Sequence, residues 1–230
     1  MMPLGAHGPT ARRRALLVAS AVGIAGLFAG CAAGPPREPP NLQPHKQQVR
    51  TYVEGGGYQR EIAAVAARAR GWIEERAAKK GAKLTAVFDL DETLWSNWPL
   101  IAKQDFGYVP AEWDRWVEAG EAPVIEPVRE VFLAARRAGV EVVLLTGRRE
   151  RDRAGTEKNL RAAGCADYAL LVCKADRDRR TSAAFKTAVR RELTAGGRTV
   201  IANIGDQESD LVGGFAERTF KLPNPFYVTE

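Results

Sequence analysis

Short apolar segments alternate with helical segments along most of this 230-residue chain, and this alternation limits the possible folds more than any other feature. Apolar runs predict strands over residues 84–90, 140–145, 168–172 and 199–204. The spacing of apolar residues predicts helices over residues 58–80, 126–138, 151–163 and 182–194. Apolar strands separated by helices are typical of βαβ units, whose parallel sheet is buried on both faces. We therefore expect a doubly wound, Rossmann-like α/β domain that binds ligands at the carboxyl ends of its strands.

Residues 1–30 are interpreted as an export signal that lies outside this domain. Three arginines at 12–14 precede an uncharged apolar run over 15–29, which is too short to span a bilayer. Small residues then precede Cys31, as in a bacterial lipoprotein signal whose cysteine is lipidated. We expect an exported protein, anchored by lipid on Cys31 at the periplasmic side, with the outer membrane favoured by Ala32. The alternative is an ordinary secretory signal with Cys31 incidental.

The segments after the signal differ in composition. Residues 31–50 are rich in Pro, Gly and Gln and predict a flexible tether, and residues 51–230 form the predicted domain. The arginines at 12–14 contribute to the net charge of +6, so the basic pI of about 9.4 is weak support for nucleic-acid binding, and we expect no such partner. Arg and Asp alternate over 176–180, which predicts a solvated loop.

Cys165 and Cys173 flank a predicted strand. An extended strand would hold the two cysteines too far apart for a disulfide unless the chain turned between them. We therefore favour two unpaired, buried thiols.

Polar residues follow three of the predicted strands. The first strand leads into Asp89-Leu90-Asp91-Glu92-Thr93, the second into Thr146-Gly147-Arg148, and the last into Gly205-Asp206-Gln207 with Asp210 nearby. Asp89 and Asp206 at neighbouring strand ends can both stay ionised if a divalent cation lies between them, and oxygen ligands suit Mg²⁺. The sequence therefore predicts a magnesium site at this edge of the sheet.

The same residues can carry out phosphoryl transfer. A carboxylate such as Asp89 can attack phosphorus and form an acyl phosphate. Asp91, two residues on, can protonate the leaving group and then activate water. The Thr146 hydroxyl, the Lys186 ammonium and backbone N–H groups near Leu90 and Gly147 can stabilise the phosphoryl oxygens. The nucleotide-binding pattern G-x-x-x-x-G-K-[ST] is absent from the sequence.

These motifs resemble the four signatures of the haloacid dehalogenase (HAD) superfamily. The match is closest to its acid phosphatase branch, which includes plant acid phosphatases, vegetative storage proteins and bacterial lipoprotein acid phosphatases. Residues 202–207 and the terminal Phe220-Lys221-Leu222-Pro223-Asn224-Pro225 are especially similar to the plant-type members. The resemblance covers residues 58–228, and it implies hydrolysis of small phosphomonoesters, nucleotides among them.

The resemblance also implies a role for each matching residue. Asp89 would be the nucleophile and a magnesium ligand, and Asp206 would complete the carboxylate ligands. Asp91 would be the general acid and base and would give its backbone carbonyl to the metal. Asp210 would lie behind these ligands and orient the metal's water. The phosphoryl group and the substrate would be held by Thr146, Lys186, Gly147 and Arg148.

Two assignments stay open at this point. Lys174 also follows a strand and is an alternative to Lys186, which we prefer because it opens the helix leading to the Asp206 strand. Arg148 either contacts substrate or pairs with Glu150.

An aromatic-rich stretch follows the first strand. It predicts a small helical insertion at about residues 95–125 that contains Trp95, Trp98, Phe106, Tyr108, Trp113 and Trp116. We expect most of these rings to pack within the insertion and one or two to contact substrate.

Three other functions are compatible with parts of this pattern. A receiver-type signalling domain also uses Asp, Thr, Lys and Mg²⁺, but Asp89 and Asp91 on one strand argue against it. A non-catalytic binding or storage lipoprotein is disfavoured because Asp89 is present. A phosphotransferase that passes the phosphoryl group to an alcohol is separated from a hydrolase only by measuring its products.

Overall fold

The computed structural model describes residues 38–79 and 81–229 as a parallel five-stranded sheet with helices packed on it. The strand order is β3-β2-β1-β4-β5. The strands are β1 (Leu84–Phe88), β2 (Glu141–Arg149), β3 (Leu170–Lys174), β4 (Thr199–Gly205) and β5 (Thr219–Lys221). The helices are α1 (Leu42–Glu54), α2 (Gly57–Ala78), α3 (Trp98–Lys103), α4 (Pro110–Ala119), α5 (Glu126–Arg137), α6 (Arg153–Ala162), α7 (Ser182–Ala195) and α8 (Glu208–Leu211). The predicted α/β architecture is confirmed.

The central strand β1 is buried along its whole length. Its side chains alternate between two hydrophobic clusters, because successive residues of a strand point to opposite faces of the sheet. Ala86 and Phe88 belong to the cluster that includes α2 and α5, whereas Val87 packs with Phe185 and Val189 of α7. Burial on both faces explains why the strand is continuously apolar in sequence.

The strand register brings three strand ends together. Phe88 aligns with Leu144 of β2 and with Ile204 of β4 in parallel pairings. The residues that follow these positions, from Asp89, Leu145 and Gly205 onward, therefore emerge at one edge of the sheet. This edge is where the sequence places the polar motifs.

The predicted tether over residues 31–50 is wrong at its C-terminal end, where the first helix begins. The tether was expected to reach residue 50, but α1 begins at Leu42 and is capped by Asn41, whose side chain accepts the N–H of Gln43 at 2.9 Å. Lys46 contacts Asp105 at 2.7 Å. Arg50 contacts the same carboxylate at 3.2 Å and lies 5.4 Å from the ring of Phe106. The prediction failed because the first two turns of this helix are largely polar, and the apolar residues that pack it on the core, Val49, Tyr52 and Val53, all lie near its C-terminal end. Cys31 lies outside the described residues.

Other elements match or extend the predictions. Helices α3 and α4 form the expected insertion, whereas the three-residue strand β5 is too short to produce a recognisable period. Cys165 and Cys173 are both free and buried, which confirms the prediction of two unpaired thiols. In the part of the chain that the structure describes, none of the helices has the length and apolar character needed to cross a membrane.

Candidate active site

The turn after β1 places the first acidic motif. Asp89 continues the sheet pairing by donating its N–H to the carbonyl of Ile204 at 2.9 Å. The chain then folds back, and the N–H groups of Thr93 and Leu94 both donate to the carbonyl of Leu90, at 3.2 and 2.8 Å. Glu92 has a φ of +55°, a backbone conformation that this tight turn requires. The turn brings Asp89 and Asp91 to the cavity at the sheet edge.

Three buried carboxylates and one ammonium form the centre of the site. Asp89, Asp206 and Asp210 each place a carboxylate oxygen within 4.8 Å of the others. Lys186 of α7 donates to Asp89 at 2.5 Å and to Asp210 at 2.6 Å. Burial lowers the pKa of Lys186, but these two carboxylates outweigh that effect and raise it above its usual value. The structure therefore brings Lys186 to the predicted nucleophile, whereas the Lys174 ammonium donates to the Arg180 carbonyl.

The charges in this cluster do not balance. Burial raises the pKa of Asp89 well above its usual value; Lys186 opposes this shift, and Asp210 and Asp206 add to it. Burial and Asp210 likewise raise the pKa of Asp206, although Asn224 and Gln207 donate hydrogen bonds to it. Three carboxylates face one ammonium, so ionised carboxylates here need further positive charge.

Arg148 binds Asp91 and not Glu150; because it also lines the cavity, its expected contact with substrate stays a prediction. Its Nη2 lies 2.6 Å from Oδ1 of Asp91 and its Nε lies 2.9 Å from Oδ2, so the contact is bidentate. The guanidinium faces the rings of Trp95 at 4.8 Å and Trp113 at 5.6 Å. Glu150, the alternative partner, pairs with Arg153.

Asp91 is surrounded by donors. Besides Arg148, its Oδ1 accepts the indole N–H of Trp95 at 3.0 Å and the side-chain amide of Asn97 at 2.9 Å. Burial raises the pKa of Asp91, but Arg148, Asn97 and Trp95 outweigh it, and the net shift is downward. The carboxylate is therefore held ionised.

Thr146 and Gly147 occupy different positions relative to the cavity. Thr146 is fully buried, and its hydroxyl accepts the N–H of Arg148 at 3.1 Å. It is absent from the residues that line the cavity, whereas Gly147 and Arg148 are among them. The expected contact between Thr146 and a phosphoryl group stays a prediction.

The cavity in front of the carboxylates has a volume of about 570 Å³. The insertion contributes Phe106, Tyr108 and Trp113 to its wall, and the expected contact of one or two rings with substrate stays a prediction. The other three aromatic residues, Trp95, Trp98 and Trp116, pack within the structure. Arg149 and Arg151 line the cavity after β2, and residues 226–229 line it from the C-terminal segment.

Sequence reasoning missed the C-terminal segment as part of the site. The side chain of Asn224 donates to Oδ2 of Asp206 at 2.7 Å, beside the Gln207 amide at 2.6 Å. The Tyr227 hydroxyl donates to Glu92, whose pKa is raised to about 8, chiefly by burial and then by Asp91 and Asp206. The prolines on either side of Asn224 are the one sequence signal of a fixed segment here.

Comparison with known proteins agrees with this geometry. Residues 40–230 match the protein family described as "HAD superfamily, subfamily IIIB (Acid phosphatase)". Acid phosphatase 1 of Solanum lycopersicum is 35% identical over 199 residues, which cover 81% of this chain and 78% of that protein. Vegetative storage protein 1 of Arabidopsis thaliana is 32% identical, covering 74% of this chain and 64% of that protein.

Solved structures show the same fold. The class C acid phosphatase from Bacillus anthracis superposes with a TM-score of 0.65 at 24% identity, covering 80% of this chain and 86% of that one. The family match covers nearly all the described residues, including both acidic motifs. The chain therefore belongs to the acid phosphatases of HAD subfamily IIIB and is a phosphoric monoester hydrolase.

Proposed function

We propose that this acid phosphatase is magnesium-dependent and hydrolyses small phosphomonoesters, nucleotides among them, through a phosphorylated Asp89. One observation carries the proposal: Asp89, Asp206 and Asp210 are buried together beside Lys186, at a cavity large enough for a small ester. A carboxylate nucleophile needs this combination of a cationic neighbour and an approach route for phosphorus.

The residues fit a divalent cation. Three carboxylates against one ammonium leave two negative charges when all are ionised, and the donors are hard oxygens, which Mg²⁺ prefers. When bound by Asp89, Asp206 and the Asp91 carbonyl, Mg²⁺ would neutralise these charges and polarise a phosphoryl oxygen. Asp210 already accepts hydrogen bonds from Lys186 and from the N–H of Gln207, which suits an orienting role behind the ligands.

In the first chemical step, a carboxylate oxygen of Asp89 attacks phosphorus. The phosphorus–oxygen bond to the leaving alcohol breaks as the aspartyl-phosphate bond forms, and protonated Asp91 gives its proton to the departing oxygen. Lys186 and the N–H of Gly147 stabilise the phosphoryl oxygens. Since Arg148 keeps Asp91 ionised in the free site, Asp91 must take up a proton before it can act as an acid.

In the second step, ionised Asp91 accepts a proton from a water molecule whose oxygen attacks phosphorus. The bond between phosphorus and Asp89 breaks, inorganic phosphate leaves, and Asp91 is protonated for the next cycle. If an alcohol replaces this water, the product is a new phosphomonoester. Product analysis in added alcohol therefore separates hydrolysis from phosphotransfer.

The test is a screen of phosphomonoesters on the chain without residues 1–31, with and without Mg²⁺. We expect turnover that EDTA abolishes and Mg²⁺ restores. Full turnover after prolonged dialysis in excess EDTA contradicts the metal assignment. No turnover on any ester with metal present would instead favour the storage function, which is the alternative that the similarity to vegetative storage proteins suggests.

We also propose that the protein is exported and held by lipid on Cys31 at the periplasmic side, preferably at the outer membrane. The sequence around Cys31 supports this proposal. Replacing Cys31 with Ser should move the protein from the membrane to the soluble fraction with its phosphatase activity intact. Unchanged membrane association of the Ser variant contradicts lipid as the anchor.

A further inference from the structure

The loop of residues 175–181 after β3 has a shape that side chains define. Arg149 donates through Nη1 to the carbonyls of Ala175 at 3.0 Å and Asp178 at 2.8 Å. Asp176 accepts the N–H of Arg151 at 3.2 Å, and Asp178 forms an ion pair with Arg180. The loop is solvent-exposed, as predicted, but its conformation is fixed by these contacts.

This loop presents positive charge beside the catalytic cavity. Arg149 lines that cavity together with Arg151, and it also lines a second opening with Arg177 and Arg179. Among the described residues, none supplies a carboxylate to pair with Arg149, Arg177 or Arg179. Within residues 38–79 and 81–229, the guanidinium of Arg151 has only long carboxylate contacts, to Asp114 at 3.8 Å and Asp152 at 3.7 Å. We call these four side chains the arginine rim.

The pKa of Lys174, next to this loop, is affected by the charge of the arginines. Lys174 lies at the end of β3, and its pKa is lowered by its burial and then by Arg149 and Arg180, with Asp178 opposing. The arginine rim has four guanidinium groups beside the two loop carboxylates, Asp176 and Asp178, and Asp178 already pairs with Arg180. Guanidinium groups without carboxylate partners are good sites for carboxylate or phosphate, which they bind through paired N–H donors.

We propose that the arginine rim binds a second anionic group, a carboxylate or a phosphate, on the leaving part of a small-molecule substrate. The inference rests on the proposed function, because Asp89 takes the phosphoryl group and the rest of the ester must extend through the cavity. A small dianionic ligand fits better than an extended polyanion, since Asp176 and Asp178 line the second opening among the arginines and would repel successive charges. The rim would thus select substrates with two anionic groups.

The experiment compares matched substrates on the full chain. Phosphate monoesters of ω-hydroxy carboxylic acids, from short to long, are assayed beside their primary amides, which have the same leaving oxygen and lack the second charge. We expect the carboxylates to be preferred at the length that spans the two sites. The double variant R177Q/R179Q should reduce this preference about tenfold, as expected for two exposed charge pairs, and salt should reduce it in the wild type.

The control variant is R137Q/R191Q, which removes the same charge at two exposed arginines away from the cavity. It should leave the carboxylate-to-amide ratio unchanged. The inference is overturned if the carboxylates have no advantage at any length, or if R177Q/R179Q lowers kcat/KM equally for both members of each pair. Stronger competition by an RNA oligonucleotide than by the carboxylates also overturns it, in favour of a polyanion.

A binding measurement separates this inference from the proposed function. The matching carboxyalkyl and carbamoylalkyl phosphonates are titrated calorimetrically with Mg²⁺ present, which requires no turnover. Tighter binding of the carboxylate form, lost in R177Q/R179Q, supports the rim even if no ester is hydrolysed. Equal binding of both forms overturns the rim even if hydrolysis is fast.

Discussion

The floor and the wall of the cavity differ in the interactions that hold them in place. The floor consists of the carboxylates that directly follow β1 and β4, and hydrogen-bond donors hold them: Asp206 accepts hydrogen bonds from Thr93, Gln207 and Asn224, and Asp89 accepts one from Lys186. The wall comes from the insertion and the C-terminal segment. These two segments meet through ring contacts such as Trp98 against Phe226, with centroids 5.2 Å apart, and Tyr108 is left 69% exposed.

This difference teaches where chemistry and selectivity are located. A buried, hydrogen-bonded carboxylate has a fixed position, so we expect the floor to make the same contacts with the phosphoryl group of every substrate. We expect an exposed ring on the short insertion to contact only the leaving part of the substrate. We therefore expect floor substitutions to affect all substrates and wall substitutions to change the ranking of substrates.

The largest effect should follow replacement of Asp89 with Asn. The amide cannot form the acyl phosphate, so turnover of every ester should fall by at least about 1,000-fold. Rapid-quench kinetics with labelled p-nitrophenyl phosphate should show no label on the protein. Asp91→Asn is the matched variant, and it should show a burst near one label per chain followed by slow turnover. Label on the Asp89→Asn protein would contradict the assigned nucleophile.

The next largest effect should follow replacement of Arg148 with Lys. Lysine keeps the charge but loses the bidentate contact that orients Asp91. The rate of the first step, which labels the protein, should fall about 100-fold for an alkyl phosphate, whose leaving group needs a proton, with a much smaller loss for p-nitrophenyl phosphate. Rapid-quench kinetics with both esters measures this difference, because the second step needs Asp91 whichever ester is used.

A double-mutant cycle tests whether Arg148 acts through Asp91. In the Asp91→Asn background the Lys substitution should have little further effect, because the group it orients is already gone. Equal losses of the labelling rate on both esters, or full additivity of the two substitutions, would show that Arg148 acts on the phosphoryl group itself.

A smaller effect should come from Asn224→Ala, because Asn224 lies in the C-terminal segment of the wall and donates a hydrogen bond to Asp206 of the floor. Removing its hydrogen bond to Asp206 should weaken Mg²⁺ binding about tenfold, as is typical when the group that orients a metal ligand is lost. Calorimetric titration of Mg²⁺ and the Mg²⁺ dependence of turnover both measure it. Ser209→Ala is the control, since it removes a contact to Thr229 and leaves Asp206 unchanged. Equal metal affinity in both variants would mean that the C-terminal segment serves only the wall.

The smallest effect should come from Tyr108→Ala at the cavity mouth. Loss of one exposed ring contact should raise KM about threefold for an aryl phosphate and leave KM for a small alkyl phosphate unchanged. Val109→Ala is the control, because Val109 is also exposed but is absent from the residues that line the cavity. If Tyr108→Ala lowers kcat on both esters alike, the wall and the floor are not separable as proposed.

Sequence reasoning reached the floor more completely than the wall. The strand ends carrying Asp89 and Asp206 were located because apolar strands and the parallel-sheet rule place them at one edge. Lys186 was preferred over Lys174 from its helix, and the structure brings Lys186 to Asp89. The partner of Arg148 was missed, because a contact 57 residues apart leaves no periodic trace.

The sequence by itself determined the alternating strands and helices, the order of the acidic motifs and the family, since these depend on periods of two or 3.6 residues and on short motifs. Only the tertiary structure decided that α1 docks through Lys46 and Arg50, that Asn224 holds Asp206, and that Arg149 and Arg151 line one cavity with the carboxylates. The physical reason is the range of the interaction. Backbone geometry acts over a few residues, whereas these contacts exist only after packing brings distant segments together.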